Sequence, residues 1–198
     1  MECFCGFLYE ECIINKTKFY ICKNCGHLRK IELLNEENEK KRYDMHVCDD
    51  GYNKYMHGVY KKIQPFLNKG LSLDFGCGQI HLLSDILNDN GYSSMFYDKY
   101  YYPKEVDLSF DNIILIEVFE HIENGFLLLL DLKSKLNKNG KIIIMTQLVP
   151  NDLSNWWYLR DSTHISFYTL KSFNELALRL NMKLEYDINS SIFVLRLI

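Results

Sequence analysis

The chain has 198 residues, a net charge of −3 and 47% hydrophobic residues, which are values typical of a globular domain. This length favours one domain, with at most a small appendage. The slight negative charge gives no general attraction to nucleic acid, although a local basic patch remains compatible with it. The start of the chain has no pattern typical of a signal peptide, and the apolar run at 126–130 is far shorter than a membrane span. We therefore expect a cytoplasmic protein with no membrane partner.

The cysteines cluster near the start of the chain, because six of the seven lie within residues 1–48. The sequences CFCG at 3–6 and CKNCG at 22–26 each place two thiols close enough to hold one metal ion. In a reducing compartment, clustered cysteines bind metal more often than they form disulfides. The candidate ligands of a structural zinc ion are Cys3, Cys5, Cys22 and Cys25. Cys12 is an alternative to Cys3, and His27 or Cys48 could replace a thiolate.

Short strand-like segments at 18–22 and 27–34 surround these cysteines and predict a zinc-ribbon-like segment over residues 1–34. The charged stretch 35–45 favours a helical linker. Apolar residues at helical spacing then predict a helix over 49–70, with Asp49 or Asp50 as its cap and Gly70 at its end. Residues 35–69 are therefore assigned to the linker and this first helix.

Strands and helices alternate from residue 71 onward. Strands are predicted at 71–76, 93–98, 112–118 and 141–147, helices at 79–91, 124–140 and 169–181, and a terminal hairpin at 183–189 and 191–198. This alternation is typical of an α/β fold with a doubly wound, mostly parallel sheet, which we assign to residues 70–198.

The first of these strands runs into the sequence LDFGCGQI at 73–80. Gly76 and Gly78 permit a tight turn and a close approach to a ligand, and doubly wound folds bind cofactors at such a strand–helix loop. Asp98 ends the next strand, where a carboxylate can accept hydrogen bonds from both hydroxyls of a ribose. A dinucleotide is disfavoured because His81 occupies the place of the last glycine in the fingerprint GxGxxG.

The segments LDFGCGQI, MFYDKY, FDNIILIEVFEHIEN and NKNGKIIIMTQ, in this order, resemble the successive motifs of class I S-adenosylmethionine-dependent methyltransferases. The resemblance covers about residues 50–198 and implies a Rossmann-like sheet of seven strands with S-adenosylmethionine as cofactor. It implies that Gly76 and Gly78 line the methionine part of the cofactor, Asp74 its amino group or a nearby water, and Asp98 its ribose. Many members of this family have a third glycine at the position of Ile80, and Cys77 is interpreted as loop packing.

Two further stretches, RYDMH at 42–46 and WWYLRDSTHISFY at 156–168, resemble a group of bacterial-type methyltransferases that begin with a zinc ribbon. The ribbon of that group is structural or binds substrate. In residues 156–168, aromatic side chains surround a few polar ones, which is typical of a ligand pocket. The candidate substrate-binding residues are Trp156, Trp157, Arg160 and Tyr168. A packed loop, with Arg160 paired to Asp161, is the alternative interpretation.

The sequence IEVFEHI at 116–122 places three titratable side chains directly after a buried strand, where such groups are costly unless they are paired or bound to a metal. We assign Glu117 to cofactor binding. Glu120 and His121, with His164 from the loop after the next strand, are assigned to catalysis. Three alternatives are open for this cluster: a structural role, a general base, or a divalent metal ion held together with Glu117. The third resembles small-RNA 3′-end 2′-O-methyltransferases and some ubiquinone-type O-methyltransferases.

The sequence therefore predicts an enzyme that transfers a methyl group from S-adenosylmethionine to a small molecule such as a sugar or another metabolite. One alternative is a metal-dependent 2′-O-methyltransferase acting on RNA ends, in which KKRY at 40–43 and KLNKNGK at 135–141 would contact phosphates. Another is a cofactor-binding scaffold whose zinc ribbon recruits a partner.

Overall fold

The computed structural model describes residues 1–104 and 107–198, and its strands form two sheets. The smaller sheet is antiparallel and has the strand order β1-β2-β3-β8. Its strands are β1 (Tyr9–Ile14), β2 (Thr17–Cys22), β3 (Leu28–Lys30) and β8 (Ser166–Phe167). Three strands of this sheet come from the cysteine-rich segment, and the fourth comes from the segment that follows β7 (Leu136–Met145).

The larger sheet has the strand order β5-β4-β6-β7-β10-β9. Its strands are β4 (Leu71–Phe75), β5 (Ser93–Tyr97), β6 (Phe110–Ile116), β7 (Leu136–Met145), β9 (Met182–Asp187) and β10 (Ile192–Leu197). The pairs from β5 to β7 are parallel, whereas β10 runs antiparallel to both β7 and β9. The predicted α/β architecture and the terminal hairpin are thus confirmed, as a mixed sheet.

Five helices accompany these strands in the described part of the chain: α1 (Glu36–Asp44), α2 (Asp50–Ile63), α3 (Leu82–Asp89), α4 (Gly125–Ser134) and α5 (Leu170–Arg179). Short 3₁₀ turns occur at Gln64–Phe66, Phe119–His121 and Trp157–Arg160. Within residues 1–104 and 107–198, none of the helices has the length and apolar character that crossing a bilayer requires.

The larger sheet is covered by helices on both faces, because successive side chains of a strand point to opposite sides. In β6, Ile113 and Leu115 pack with α4 and α5, where Phe173 is fully buried. Ile114 points the other way and packs with α2 and α3, where Leu87 is fully buried. This alternation gives the three layers of a doubly wound fold.

The larger sheet contains six strands among the described residues, where seven were predicted. The connection from β5 to β6 occupies residues 98–109, and its described part contains no strand paired in this sheet. A helix and a strand of ordinary length need about 17 residues together. The segment is too short for the additional helix–strand unit that seven strands would require.

Two predicted helices end earlier than expected. Asp49 caps α2 as predicted, but α2 ends at Ile63, because Pro65 has no N–H to continue the helical hydrogen bonds. α4 ends at Ser134 instead of near Gly140, and the chain then enters β7 with a shift in register between Leu136 and Lys141. Asn139 has a φ of +66°, a left-handed conformation that a right-handed helix does not accommodate.

Thr169 joins the cysteine-rich segment to the larger domain. As the N-cap of α5, its Oγ1 accepts a hydrogen bond from the N–H of Ser172 (3.0 Å). The same hydroxyl donates to the carbonyl oxygen of Cys25 (2.6 Å). A Cβ on Gly26 would lie 2.8 Å from the methyl group of Thr169, so these two segments approach as closely as a glycine allows.

We expect Thr169→Ala to lower the free energy of unfolding by about 1–2 kcal/mol, because it removes a helix cap and a half-buried hydrogen-bond donor. Thr169→Ser is the matched control, because it keeps the hydroxyl and loses only a methyl group. Urea denaturation of both variants measures the difference. Equal stability of the two variants would show that the hydroxyl does not contribute.

Candidate functional site

A cavity of about 350 Å³ lies at the carboxyl ends of β4, β5 and β6. The parallel strands bring their carboxyl ends to the same edge, which is where doubly wound sheets bind ligands. All five predicted cofactor-binding residues line this cavity: Asp74, Gly76, Gly78, Asp98 and Glu117. Aromatic residues that the sequence analysis did not single out close the opposite side, namely Tyr43 of α1 with Tyr52 and Tyr55 of α2.

The loop after β4 depends on its two glycines. Gly76 and Gly78 have φ values of +80° and +74°, in the region that favours glycine. A Cβ on Gly76 would also lie 2.6 Å from Cγ2 of Val118, so this residue packs directly against the segment that follows β6. The N–H of Gly76 donates to the carbonyl of Tyr97 (2.7 Å), which fixes the loop to the end of β5.

Asp98 organises the neighbouring loop. Its Oδ2 accepts a hydrogen bond from the N–H of Gly78 (3.1 Å). Its Oδ1 accepts from the N–H groups of Tyr100 (2.8 Å) and Tyr101 (3.1 Å). Because each carboxylate oxygen has two lone pairs, Asp98 retains capacity to accept hydrogen bonds from a ligand in the cavity.

Asp74 is buried beneath the glycine loop. Burial raises the pKa of its carboxyl group to about 7, with smaller contributions from the negative charges of Asp98 and Asp85, while the backbone N–H of Ser84 acts in the opposite direction. This carboxylate is therefore poised to be stabilised by a cation placed in the cavity.

Tyr158 connects the two glutamates that follow β6, and it was not among the predicted site residues. Its hydroxyl lies 3.0 Å from Oε2 of Glu117 and also contacts Oε1 of Glu120. Burial raises the pKa of both carboxyl groups, and that of Glu120 lies well above its usual value. Glu117 has a φ of +50°, a strained conformation for a residue other than glycine, which turns the chain sharply after β6.

The two predicted catalytic histidines lie side by side, with ring centroids 4.8 Å apart. The Nδ1 atom of His121 lies 2.9 Å from the carbonyl oxygen of Thr163, and that of His164 lies 2.9 Å from the carbonyl of Tyr158. A carbonyl only accepts hydrogen bonds, so each Nδ1 carries the proton and each Nε2 keeps a lone pair. Burial, and then the neighbouring His164, lower the pKa of His121 to about 4, so both rings are neutral near pH 7.

Glu120 completes this cluster. Its side chain is 0% exposed, and Oε2 has no hydrogen-bond partner among the described residues. Ligand atoms of Glu120, His121 and His164 lie within 4.8 Å of one another. Glu117, the fourth predicted ligand, is not part of this group of close ligand atoms and lines the cavity instead. A buried carboxylate oxygen without a partner beside two imidazole lone pairs is a donor set that suits a divalent cation.

The cysteine-rich segment brings the four predicted thiols together, and all four are buried. The sulfur atoms lie 3.6 Å apart for Cys3 and Cys25, and 3.4 Å apart for Cys5 and Cys22. Four sulfurs at about 2.3 Å from a tetrahedral zinc ion would be separated by roughly 3.8 Å, so these distances fit a zinc site. The alternative ligands Cys12, Cys48 and His27 are not in this group; Nδ1 of His27 bonds to the hydroxyl of Tyr9 (2.6 Å) instead.

The four predicted substrate-binding residues do not line the cavity. Tyr168 is 1% exposed and stacks on Phe119 in the core, at 4.4 Å between ring centroids, because β8 draws this segment into the interior. Trp156 packs against Tyr158, whereas Trp157 is 56% exposed and Arg160 is exposed as well.

The predicted alternative, a pair between Arg160 and Asp161, is replaced by another ion pair. Asp161 accepts a hydrogen bond from Arg42 of α1 (2.6 Å). This pair joins the RYDMH stretch to the WWYLRDSTHISFY stretch. Asp161 thereby anchors α1 to the loop that carries His164.

This chain matches a known protein family in sequence and several solved structures in fold. A family model described as "Methyltransferase domain" matches residues 52–186, which is more than half of the chain. A search of curated proteins gave no match.

Solved structures share the fold at low sequence identity. A SAM-dependent methyltransferase from Archaeoglobus fulgidus has 16% identity and a TM-score of 0.57, with 73% of this chain and 94% of the other covered. CalO1, a methyltransferase in calicheamicin biosynthesis solved with SAH, has 12% identity and a TM-score of 0.52, with 65% and 49% covered.

NcsB1, an O-methyltransferase from neocarzinostatin biosynthesis in complex with S-adenosylmethionine and 2-hydroxy-5-methyl naphthoic acid, has 13% identity and a TM-score of 0.54, with 73% and 55% covered. The present chain thus spans about half the length of the two biosynthetic enzymes. The matched family model, together with a glycine loop and acidic strand ends around one cavity, leads to the conclusion that this chain belongs to the methyltransferase-domain family.

Proposed function

We propose that this protein transfers a methyl group from S-adenosylmethionine to a small molecule. The observation that carries the proposal is the cavity itself, in which a two-glycine loop and the carboxylates of Asp74, Asp98 and Glu117 surround one space at the carboxyl edge of the sheet. The structural neighbours include enzymes solved with S-adenosylmethionine or SAH, and one of them also holds a naphthoic acid.

The residues present fit this cofactor. The bent glycine loop offers close backbone approach to the methionine part, Asp98 can accept the ribose hydroxyls, and Asp74 can pair with the amino group. When bound, the sulfonium supplies an electrophilic methyl group, so that a bond to the nucleophile forms while the methyl–sulfur bond breaks and SAH remains. The protein's part is mainly to align the reacting groups, which is catalysis by positioning.

We further propose that Glu120, His121 and His164 hold a divalent cation beside the cavity. Among the described residues, Oε2 of Glu120 and the Nε2 atoms of both histidines have no hydrogen-bond partner, which supports this choice among the three alternatives. A bound cation there would bind and acidify a hydroxyl group of the substrate.

The alternative of a general base is less well supported. A base works best when its pKa lies near the working pH. Burial and the neighbouring His164 hold the pKa of His121 at about 4, so that this imidazole is a poor proton acceptor near neutral pH.

The RNA-end alternative is also less well supported. In the basic patch at 40–43, the three cations already have carboxylate partners: Lys40 pairs with Asp44, Lys41 with Glu37, and Arg42 with Asp161. Contacts with phosphate would have to displace these ion pairs.

The four buried thiols are proposed to hold a structural zinc ion. Four sulfur ligands would leave no open position on the metal, so this ion would support the fold and not activate water. Its contribution to the site would pass through Cys25, whose carbonyl accepts the hydrogen bond from Thr169.

The cofactor proposal predicts a pH-dependent affinity for SAH. The charged form of Asp74 binds the cationic amino group, so we expect affinity to rise several-fold between about pH 6 and pH 8 as this carboxyl with a pKa of about 7 loses its proton. Asp74→Asn is expected to bind more weakly at pH 8 and to lose the pH dependence. Titration calorimetry measures both, with Asp152→Asn at an exposed position as the control.

The stability of the ligand-free protein should change in the opposite direction. The folded-state pKa of Asp74 is raised above its unfolded value, so the free energy of unfolding should fall as pH rises from about 4 to about 7. Urea denaturation at several pH values measures this change.

Absence of SAH binding at every pH would refute the cofactor proposal. SAH binding without methyl transfer from radiolabelled S-adenosylmethionine to any component of a metabolite extract would favour the scaffold alternative.

The divalent-cation proposal predicts that zinc-loaded protein binds one Mn²⁺ ion. Mn²⁺ prefers oxygen ligands such as carboxylates, also accepts imidazole nitrogen, and competes poorly for thiolates. Water-proton relaxation should detect the ion in the wild type and in Glu123→Gln, and should show at least tenfold weaker binding in Glu120→Gln and His164→Gln. Equal Mn²⁺ binding by wild type and Glu120→Gln would contradict the proposal.

The thiol cluster predicts about one zinc ion per chain by elemental analysis. Cys5→Ser and Cys25→Ser are expected to lose that zinc and to unfold at lower urea concentration. Cys12→Ser and Cys48→Ser change the same atom outside the cluster and should keep the metal. A folded wild-type chain without zinc would overturn the assignment.

A further inference from the structure

A second cavity, of about 250 Å³, lies between the cysteine-rich segment and the larger domain. On one side it is lined by Leu33 and Leu34, in the segment that leads from β3 to α1. On the other side it is lined by Ser162, Thr163 and Ile165, from the loop that also carries His164. The ribbon-like segment 1–34 and the aromatic stretch 156–168 therefore enclose one space.

The second cavity adjoins the first. Both are lined by His121 and Ile122 after β6, by Glu39 of α1 and by Lys99 after β5. Glu39 and Lys99 form an ion pair (2.9 Å), and Tyr100 donates to the same carboxylate (2.8 Å). His121 and this ion pair therefore border both cavities, and a molecule in the second cavity would lie next to the cofactor cavity at these residues.

The charges around the second cavity are balanced within the protein. Glu39 pairs with Lys99, and Glu123 pairs with Arg29. The remaining lining combines aliphatic side chains, Leu33, Leu34, Ile122 and Ile165, with the polar residues Ser162 and Thr163.

In the protein without a bound divalent cation, a charged ligand would lose its water without gaining an unpaired partner, which is costly. An uncharged molecule with hydroxyl groups and an aliphatic part would match both kinds of lining. Pockets for drug-sized ligands measure about 300–1,000 Å³. A cavity of about 250 Å³ suits a smaller metabolite.

We propose that the second cavity is the acceptor site, and that it takes an uncharged small molecule with hydroxyl groups on an aliphatic frame. This inference rests on the proposed function, because it supplies the substrate of that methyl transfer. The segment after β3 is then part of the substrate-binding site, while zinc remains a structural element.

Methyl-group NMR tests this assignment on the full-length, zinc-loaded protein saturated with SAH, with no other divalent cation added. The probes are trans-cyclohexane-1,2-diol, the cation trans-2-aminocyclohexanol and the anion 2-hydroxycyclohexanecarboxylate, which share one carbon frame. We expect the diol to shift the methyl resonances of Leu33, Leu34 and Ile165, with at least tenfold weaker effects from the charged probes.

Substitutions at one wall sharpen the test. Leu34→Trp should fill the cavity and weaken diol binding at least tenfold with SAH affinity unchanged, whereas Leu178→Trp, at an exposed site on α5, should leave both unchanged. Leu34→Glu should reverse the preference in favour of the aminocyclohexanol, because it introduces an unpaired carboxylate.

Two failures are distinguishable. If SAH itself does not bind, the proposed function fails and takes this inference with it. If SAH binds but the diol shifts no resonance of the second cavity, or only those of Met56 and Ile116 in the first, then the acceptor-site inference alone is wrong. Equal binding of all three probes would likewise overturn the assigned ligand chemistry.

Discussion

The backbone of Ile165 holds together the three parts of this molecule on which the candidate site depends. Its N–H donates to the carbonyl of Glu120 (2.8 Å), and its own carbonyl accepts from the N–H of Lys30 in β3 (2.8 Å). One peptide segment therefore links the cysteine-rich sheet, the loop that carries His164 and the turn after β6. Buried backbone groups must be paired, so a displacement of any of the three parts would leave costly unsatisfied groups in the others.

Side-chain contacts strengthen the same connection. Nζ of Lys30 donates to the carbonyl of Asp161 (2.6 Å), whose carboxylate pairs with Arg42 of α1. The lysine is buried, and burial lowers its pKa to about 8. Since the loop from Asp161 to Ile165 lies between these anchors, the positions of both histidines and of the second cavity are coupled to the cysteine-rich segment.

The sequence was sufficient for those features that depend on local pattern. Alternating apolar periodicity predicted the order of strands and helices, the spacing of thiols predicted the four-cysteine cluster, and the glycine loop with Asp98 predicted the cavity. These features are set by residues close together in the chain.

Features that depend on distant contacts were not predictable in the same way. Tyr168 and Trp157 belong to one aromatic stretch in which apolar residues follow neither a helical nor a strand spacing. The pairing of β8 with β3 nevertheless buries Tyr168, whereas Trp157 stays exposed. The role of Tyr158 depends on its contact with two glutamates about forty positions earlier in the chain. The seventh strand was inferred from a family resemblance, and the short β5–β6 connection could have argued against it.

The pairing of Leu28 with Phe167 also has a consequence for how the chain folds during synthesis. β3 emerges from the ribosome early, but its partner β8 follows only after most of the larger domain has been made. Until then β3 is an edge strand with unpaired backbone groups, which is the condition that favours aggregation and slow, non-local folding. Capture of a metal by the four thiols would hold β1, β2 and β3 in register during this interval, because all four thiols lie within the first 25 residues.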